Sequence, residues 1–418
     1  MSKVFELTQR SEIGRLTFAI PSSSLHLLRI LHGSKSEILP SWEAFWQGVP
    51  DYDHLPVDSR KLLPSVIRRV QHVSPGGGWK HVHGMDLSYL EGLPRYFWTK
   101  NQFFLNQARV IVNASAKAGI RLVAFKGICE LLTGGPSGMM RSTNDLDILL
   151  NPEDLDRFRE VAKNVGFREL DATTKTWLQR PYPKDQFSFE RTDGAKVHID
   201  AHVVVNPLRL DNALTHAILH GCVPSGWCEG LFFPSPEERF HIAVIHAFRV
   251  GNWADGSVTK YIHDACIALT AIQPSALPEI LTVGRQYTGR QDWHEQILKL
   301  VAQMNLISQE WIREIGKCTR AVEGRKFRKS SRSKGFWLNP KLVFWFQSRV
   351  QVFVLSAKAM QKQGLSWRGA LFFIVSPFRS VYGILNRKNQ SMEPSSAQLP
   401  PTGHAPPPPP APRIRWSL

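Results

Sequence analysis

Apolar and polar positions follow a helical period over the first part of the chain. Up to about residue 95, apolar residues recur at spacings of three and four, as in LHLLRILHG from Leu25 and SRKLLPSVIRRVQHV from Ser59. This spacing is typical of amphipathic helices. Three consecutive glycines at 76–78 interrupt the pattern and favour a flexible hinge over the alternative, a loop that must approach another group closely. We therefore predict an N-terminal helical region over residues 1–95.

Between residues 96 and 210, short apolar runs alternate with helical periods. A long amphipathic helix from Tyr96 should end at Gly119, because glycine commonly terminates helices. RLVAFKG, which ends at Gly127, and DLDILL, which begins at Asp145, have the length of strands, and a helical pattern follows each of them. The second of these helices should start at the capping pattern NPED, which begins with Asn151.

A hairpin should complete the sheet of this central region. Residues 186–191 and 196–205 alternate polar and apolar positions on either side of an Asp-Gly turn, which predicts two antiparallel strands. Together with the strand–helix units before it, the hairpin predicts a small mixed sheet. Residues 211–320 contain further helical stretches that should form a bundle against the sheet. The predicted fold class is α+β, with a mixed-sheet core flanked by N-terminal helices and a C-terminal helical region.

Positive charge is concentrated near the end of the chain. The sequence has 52 Lys and Arg against 35 Asp and Glu, a formal net charge of +17, which points to an anionic partner. Residues 324–392 hold fourteen of these basic residues and no acidic residue, interleaved with apolar-aromatic runs too short or too interrupted to span a bilayer. We predict a basic amphipathic helical segment over 321–392 and a disordered proline-rich tail over 393–418.

Three interpretations of the basic segment stay open at this point. In order of preference they are a helical pair packed on the core, peripheral attachment to an anionic membrane surface, and nucleic-acid binding. Nucleic acid is the least favoured partner, because no RNA-binding signature accompanies the charge. The five cysteines form no CxxC pair and the N-terminus has no signal-peptide pattern. The expected location is therefore the cytoplasm, with contact at the inner membrane surface as a further possibility.

Three carboxylates lie in phase on two predicted strands. Side chains alternate along a strand, so Asp145 and Asp147 share one face, and Asp200 shares a face with His198 and His202. If the two strands are neighbours, the three carboxylates converge at one edge of the sheet. Carboxylate oxygens suit Mg²⁺ bound together with substrate phosphates. The pattern therefore predicts a two-metal site for phosphoryl transfer. The alternative for Asp200 is a salt-bridged strand residue.

Other chemical motifs are weaker. His241, His246 and His263 lie on apolar helical stretches at spacings that suit a metal poorly, so we predict a packed, hydrogen-bonded core for them. HExxH, P-loop and Rossmann glycine patterns are all missing from the sequence. The GGPSG loop at residues 134–138 is expected to be a connector or lid.

Several blocks of the chain resemble an uncharacterised bacterial nucleotidyltransferase family of the polymerase-β-like superfamily. They are AGIRLVAFKG, MMRSTNDLDILLNPEDLDRFREVAKNVGF, VHIDAHV, and HAFRVGNW followed by YIHDACIAL, and the resemblance as a whole covers about Leu62 to Ala271. Better-known members of the superfamily carry a Gly-Ser pair closer to the D-x-D motif, whereas here Lys-Gly stands eighteen residues before it. The phosphate-binding loop should therefore differ from theirs.

The resemblance implies a role for each site residue. Gly127 would approach the nucleotide phosphates, Asp145 and Asp147 would bind two Mg²⁺ ions, and Asp200 would be the third carboxylate, which helps to activate the acceptor hydroxyl. It also implies the activity, which is Mg²⁺-dependent transfer of a nucleoside monophosphate from an NTP such as ATP to an unidentified acceptor hydroxyl.

Lys126 and Arg141 are the expected phosphate contacts beside this site. Each has a structural alternative, because Lys126 could extend its ammonium to solvent and Arg141 could pair with a carboxylate. The alternative to the whole functional hypothesis is a non-catalytic protein of the same fold, acting at a membrane or a partner through residues 324–392.

Overall fold

The computed structural model describes residues 4–6, 19–49, 51–133, 141–143, 145–170, 186–193, 197–206, 212–250, 256–289 and 292–324. All of them lie in the first of two compact units, Met1–Ser348. The predicted basic segment from residue 325 onward, the proline-rich tail and the GGPSG loop lie outside the described residues.

Short strands and longer helices alternate through the described residues. The strands are β1 (Val4–Glu6), β2 (Ala19–Pro21), β3 (His81–Val82), β4 (Met85–Asp86), β5 (Leu122–Ala124), β6 (Asp145–Leu149), β7 (Phe167–Glu169), β8 (Gln186–Arg191), β9 (His198–His202), β10 (Val223–Pro224) and β11 (Leu231–Phe233). The helices are α1 (Ser22–His32), α2 (Lys35–Gln47), α3 (Val57–Val73), α4 (Leu93–Lys117), α5 (Gly127–Thr133), α6 (Leu155–Asn164), α7 (Ala213–Gly221), α8 (Pro236–Val250), α9 (Thr259–Thr270), α10 (Leu277–Thr288), α11 (Asp292–Gln303) and α12 (Gln309–Gly324).

The central sheet is mixed, as predicted. Its strand order is β10-β11-β5-β6-β9-β8-β7. Strands β8 and β9 form the expected antiparallel hairpin, whereas β6 pairs parallel with β9 and β11 pairs parallel with β5. A parallel pair needs a crossover connection, and α6, β7 and β8 all lie between β6 and β9 in the chain. The predicted α+β fold class is therefore confirmed.

The two faces of the sheet differ in composition because alternate residues point to opposite sides. On one face, Leu146, Ile148 and Ile199 are fully buried against apolar residues of α4, including Ile111 and Val112. The opposite face has a smaller apolar cluster, in which Phe125 and Leu149 pack with residues of α8. The polar residues of β6 and β9 therefore lie on the face that has less apolar cover.

Two local predictions meet different outcomes. The long helix α4 ends just before Gly119, whose φ of +70° suits a glycine at a helix end. The glycine segment at 76–78, predicted to be a hinge, forms a tight turn into a short 3₁₀ helix. Trp79 is buried there, and its carbonyl accepts a hydrogen bond of 2.9 Å from Trp42 Nε1. The segment thus packs against the N-terminal helices through this tryptophan pair, and its role as a hinge stays a prediction.

The first helix joins the N-terminal helices to the C-terminal bundle. Leu27 and Ile30 of α1 pack with α2 and α3, while Leu25 and Leu28 pack in the cluster formed by helices α8 to α12. His32 Nε2, at the end of α1, lies 2.7 Å from His263 Nδ1 on α9. The helix thus contributes to two apolar clusters at once.

No single helix of the described residues has the length and apolar character needed to cross a bilayer. The pair Thr259–Thr270 and Pro274–Thr288 meets those criteria only when its two helices are taken together, and it is bent by 111° at the break between them.

Candidate functional site

Two aspartates face each other across the parallel pair β6 and β9. In the register of these strands Asp145 lies opposite His198, and Asp147 lies opposite Asp200. The intervening residue Leu146 is buried on the other face. The prediction that the two strands are neighbours and bring these carboxylates to one face is therefore confirmed.

Asp147 has two partners. Its Oδ1 accepts a hydrogen bond of 2.6 Å from Lys126 Nζ and lies 3.2 Å from Nε2 of His202. Burial alone would raise the pKa of Asp147, but the charge of Lys126 and the contact with His202 outweigh burial and hold this pKa well below its usual range. Asp147 is therefore ionised at neutral pH.

Lys126 reaches Asp147 because of the turn that follows β5. Its φ is +58°, an uncommon value for a residue with a side chain. The residue before it, Phe125, donates its backbone N–H to the carbonyl of Asp147 at 3.1 Å. The Lys126 ammonium also lies 4.9 Å from the centre of the Phe125 ring, within the range of a cation–π contact. The strand–turn–helix unit thus directs this lysine to the carboxylates.

Asp200 is oriented by the neighbouring strand. Ser188 lies directly opposite it on β8, and the Ser188 hydroxyl donates a hydrogen bond of 2.7 Å to Asp200 Oδ1. A hydrogen bond to a charged acceptor contributes about 1.5–3 kcal/mol. The sequence analysis did not predict Ser188 as a site residue. The available signal was its position between Phe187 and Phe189, which are buried, so that Ser188 lies on the opposite face of the strand.

His202 is the other site residue that the sequence prediction omitted. Asp147, Asp200 and His202 each offer one ligand atom, and these atoms all lie within 4.8 Å of one another. Burial and the charge of Lys126 lower the pKa of His202, which keeps its imidazole neutral. A neutral imidazole and two carboxylates can together hold a divalent cation. The available signal was that His202 follows Asp200 at a spacing of two on one strand face.

Asp145 lies outside that group of three, two residues before Asp147 on the same face. Its pKa is raised, first by burial and then by the charges of Asp147 and Asp200. Gly127 begins α5, and a Cβ atom placed there would lie 3.3 Å from the hydroxyl of Thr143. The metal role of Asp145 and the phosphate role of Gly127 both stay predictions.

Arg141 occupies a different environment from the carboxylate group. It forms a buried, bidentate ion pair with Asp264 of α9. Its carbonyl accepts a hydrogen bond of 2.7 Å from Asn101 Nδ2. This geometry favours the structural alternative for Arg141, and its phosphate contact stays a prediction.

A pocket of about 240 Å³ adjoins the carboxylates. Its lining residues are Lys126, Gln186, His202, Val204, His246, Arg249 and Tyr261. Two of these side chains, Lys126 and Arg249, are cationic. The rings of His246 and Tyr261 are stacked, with their centres 5.5 Å apart and an angle of 17° between their planes. The pocket suits an anionic ligand with a flat ring.

The helical histidines are mostly in the predicted core. His241 Nδ1 lies 2.9 Å from His294 Nε2, and His263 contacts His32 as described above. Burial lowers the pKa of His241 to about 3, so it is neutral. The packed, hydrogen-bonded prediction is confirmed for these two. His246 is also buried, but it lines the pocket, and its Nε2 has no hydrogen-bond partner within the described part of the chain.

These features define a class of protein. A mixed sheet brings carboxylates of two parallel strands to one face, after a strand–turn–helix unit, and this arrangement is consistent with a nucleotidyltransferase fold. A family model described as "Uncharacterised nucleotidyltransferase" matches residues 86–305, just over half of the chain, and the chain belongs to this family. The resemblance seen in the sequence is thereby confirmed.

Comparison with other known proteins adds little beyond the family. No curated protein matches the sequence. The solution structure of the antibiotic-resistance factor ANT(2″)-Ia is 16% identical, covers 47% of this chain and 98% of its own, and has a TM-score of 0.34. The crystal structure of ANT(2″)-Ia in complex with adenylyl-2″-tobramycin is also 16% identical, with coverage of 45% and 98% and a TM-score of 0.33. At this level the likeness says nothing about the substrate of this chain.

Proposed function

We propose that the protein transfers a nucleoside monophosphate from an NTP to an acceptor hydroxyl, with release of pyrophosphate. The observation that carries this proposal is the register of β6 and β9, which sets Asp147 beside Asp200 on the sheet face next to the pocket. Family membership supports the same class of reaction.

In this reaction the acceptor oxygen forms a bond to the α-phosphorus while the bond from that phosphorus to the bridging oxygen of pyrophosphate breaks. The acceptor proton passes to the Asp200 carboxylate, which the Ser188 hydroxyl holds in one orientation. Lys126, and Arg249 across the pocket, bind the phosphates and offset the charge that develops on the leaving pyrophosphate.

The donor set fits a divalent cation, because two carboxylates and a neutral imidazole converge and the ammonium of Lys126 already lies among them. Asp147, Asp200 and His202 would hold such an ion, with Asp145 as a further carboxylate on the same strand face. Magnesium held by these residues would polarise phosphoryl oxygens and lower the pKa of the acceptor hydroxyl.

The pocket provides a place for the nucleotide. Lys126 lies between the carboxylates and the pocket, so phosphates bound near it would also lie near Asp147. The stacked rings of His246 and Tyr261 offer an apolar surface for a base. We assign the phosphates to the Lys126 side and the base to these rings.

Thermal unfolding with each NTP, with and without Mg²⁺, tests the proposal. A nucleotide at a hundred times its Kd should stabilise the protein by about 2.7 kcal/mol. The double variant Asp145→Asn/Asp147→Asn should lose this Mg²⁺-dependent stabilisation. Asp156→Asn, which changes an aspartate with 92% of its side chain exposed, is the matched control and should keep it. No stabilisation by any NTP, or equal stabilisation of the double variant, would remove the proposal.

A further inference from the structure

Lys126 occupies the position among the site ligands that a cation would take. Its Nζ lies 2.6 Å from Asp147 Oδ1 and 3.4 Å from His202 Nε2. Asp147 and His202 are two of the three residues whose ligand atoms converge within 4.8 Å. The ammonium therefore contacts two of the three side chains that a divalent ion would use.

We propose that Lys126 and a divalent cation compete for Asp147 and His202, so that entry of the ion displaces the ammonium toward the pocket. The functional meaning of this inference rests on the proposed function, because the displaced ammonium then becomes available to bind the phosphates of the NTP. It makes Lys126 a positioning residue that controls the order of events: the lysine holds the carboxylate until the ion arrives.

The chemistry of the two ligands, the Asp147 carboxylate and the His202 imidazole, favours competition between Lys126 and the divalent ion over simultaneous binding of both. Nε2 of His202 lies 3.4 Å from the Lys126 ammonium, and in the tautomer whose proton is on Nδ1 its single lone pair can accept a hydrogen bond from Lys126 or coordinate a metal, but not both. At Asp147, a divalent ion and the ammonium on one oxygen would place like charges a few ångströms apart in a partly buried site. Both contacts therefore favour exchange of one cation for the other.

The surroundings allow the ammonium to move. The side chain of Lys126 is 20% exposed and lines the pocket, so it has an open path away from Asp147. Its backbone is fixed by the turn after β5, where Phe125 is hydrogen-bonded to Asp147. Displacement thus requires a change of side-chain rotamer and leaves the turn in place.

Mn²⁺ is a suitable probe, because it accepts both carboxylate and imidazole ligands and free Mn²⁺ is detected directly by its electron paramagnetic resonance signal. We expect full-length Lys126→Met to bind Mn²⁺, without nucleotide, at least about tenfold more tightly than the wild type, which is about 1.4 kcal/mol. Lys80→Met is the matched control. Lys80 forms a 2.8 Å ion pair with Glu91 and is 25% exposed, so its loss should leave the Mn²⁺ affinity unchanged.

A second measurement uses the wild-type protein and needs no variant. Amine-reactive labelling read by peptide mass spectrometry should show that Mn²⁺ increases the reactivity of Lys126 several-fold and leaves that of Lys80 unchanged. Equal Mn²⁺ affinity of wild type and Lys126→Met, or no effect of Mn²⁺ on Lys126 labelling, would overturn the inference. Because neither measurement contains nucleotide, the inference can fail while nucleotide binding at the site persists, and it can hold where no NTP stabilises the protein.

Discussion

Lys126 and Arg141 are both basic residues held by a single aspartate, yet their ion pairs differ in access to solvent. The side chains of Lys126 and Asp147 are 20% and 15% exposed and adjoin the pocket. The side chains of Arg141 and Asp264 are 6% and 7% exposed, and the guanidinium makes two hydrogen bonds to the carboxylate. One pair can exchange partners, whereas the other joins the segment before β6 to helix α9.

The comparison shows that the role of an ion pair near a site, functional or structural, can be inferred only when its exposure to solvent is known. A buried, bidentate pair loses much of its stability when one partner is removed, because the other charge is left without compensation. A pair that keeps contact with water can lose one partner at smaller cost and accept another. Charge and position in the sequence were similar for the two residues, and burial separates their roles.

The largest expected effect comes from breaking the buried pair. Arg141→Met should reduce the free energy of unfolding by about 3–5 kcal/mol, since Asp264 would be buried without its partner. Urea denaturation measures this loss. Lys126→Met should cost less, because Asp147 keeps contact with solvent. If Arg141→Met unfolds like the wild type but loses NTP-induced stabilisation, Arg141 is a phosphate contact after all.

A second prediction concerns Glu130, which lies beside the buried pair. Burial and the charge of Asp264 raise the pKa of Glu130 from 4.5 to about 8, although Arg239 and Arg141 act in the opposite direction. The folded protein therefore keeps a proton on Glu130 at pH values where the unfolded chain has lost it. Stability should fall as pH rises from about 5 to about 8, by up to about 1.4 kcal/mol per pH unit from this group.

Glu130→Gln should remove this part of the pH dependence. The free energy of unfolding of the variant, measured by urea denaturation, should therefore increase relative to that of the wild type between pH 5.5 and 7.5. Glu37→Gln is the control, because hydrogen bonds from Ser34 lower the pKa of Glu37 and keep it charged throughout this range. Its difference from the wild type should be constant. Parallel curves for Glu130→Gln and wild type would show that Glu130 is ionised in the folded state.

The smallest expected effect on stability is at the turn beside the accessible pair. In Gly127→Ala the new Cβ meets the Thr143 hydroxyl at 3.3 Å, which offsets the gain of alanine in a helix. The free energy of unfolding should change by less than about 1 kcal/mol, while NTP-induced stabilisation should decrease if the phosphates approach this backbone. Gly92→Ala, where nothing lies within 4 Å of the added atom, should leave both unchanged. A large loss of stability in Gly127→Ala would indicate a packing role for this glycine.

Much of the fold and part of the site follow from local patterns in the sequence. A period of two on β6 and β9 is enough to place Asp145, Asp147 and Asp200 on one face and the apolar residues on the other. The hairpin and the end of α4 follow from an Asp-Gly turn and from Gly119. Each of these signals depends on residues that are close together in the chain, so they can be recognised in a single sequence.

The rest depends on contacts between distant residues. Arg141 and Asp264 are separated by 123 positions, and Lys126 and His202 by 76. No periodicity relates such residues, because their contact is set by how α9 packs among the other helices and how the turn after β5 is oriented. His202 was in phase with Asp200, but its proximity to Asp147 required the strand order to be known.

Helix α1 lies outside the part of the chain that the family model matches, yet it packs against that part. The family match begins at residue 86, after this helix has ended. Yet Leu25, Leu28 and His32 of α1 complete the surroundings of α9, which carries Asp264 and Tyr261. A gene fragment trimmed to residues 86–305 would encode the carboxylates and the pocket while omitting the helix that covers their supporting bundle. Expression boundaries for this protein should accordingly begin before Ala19, where the strand leading into α1 starts.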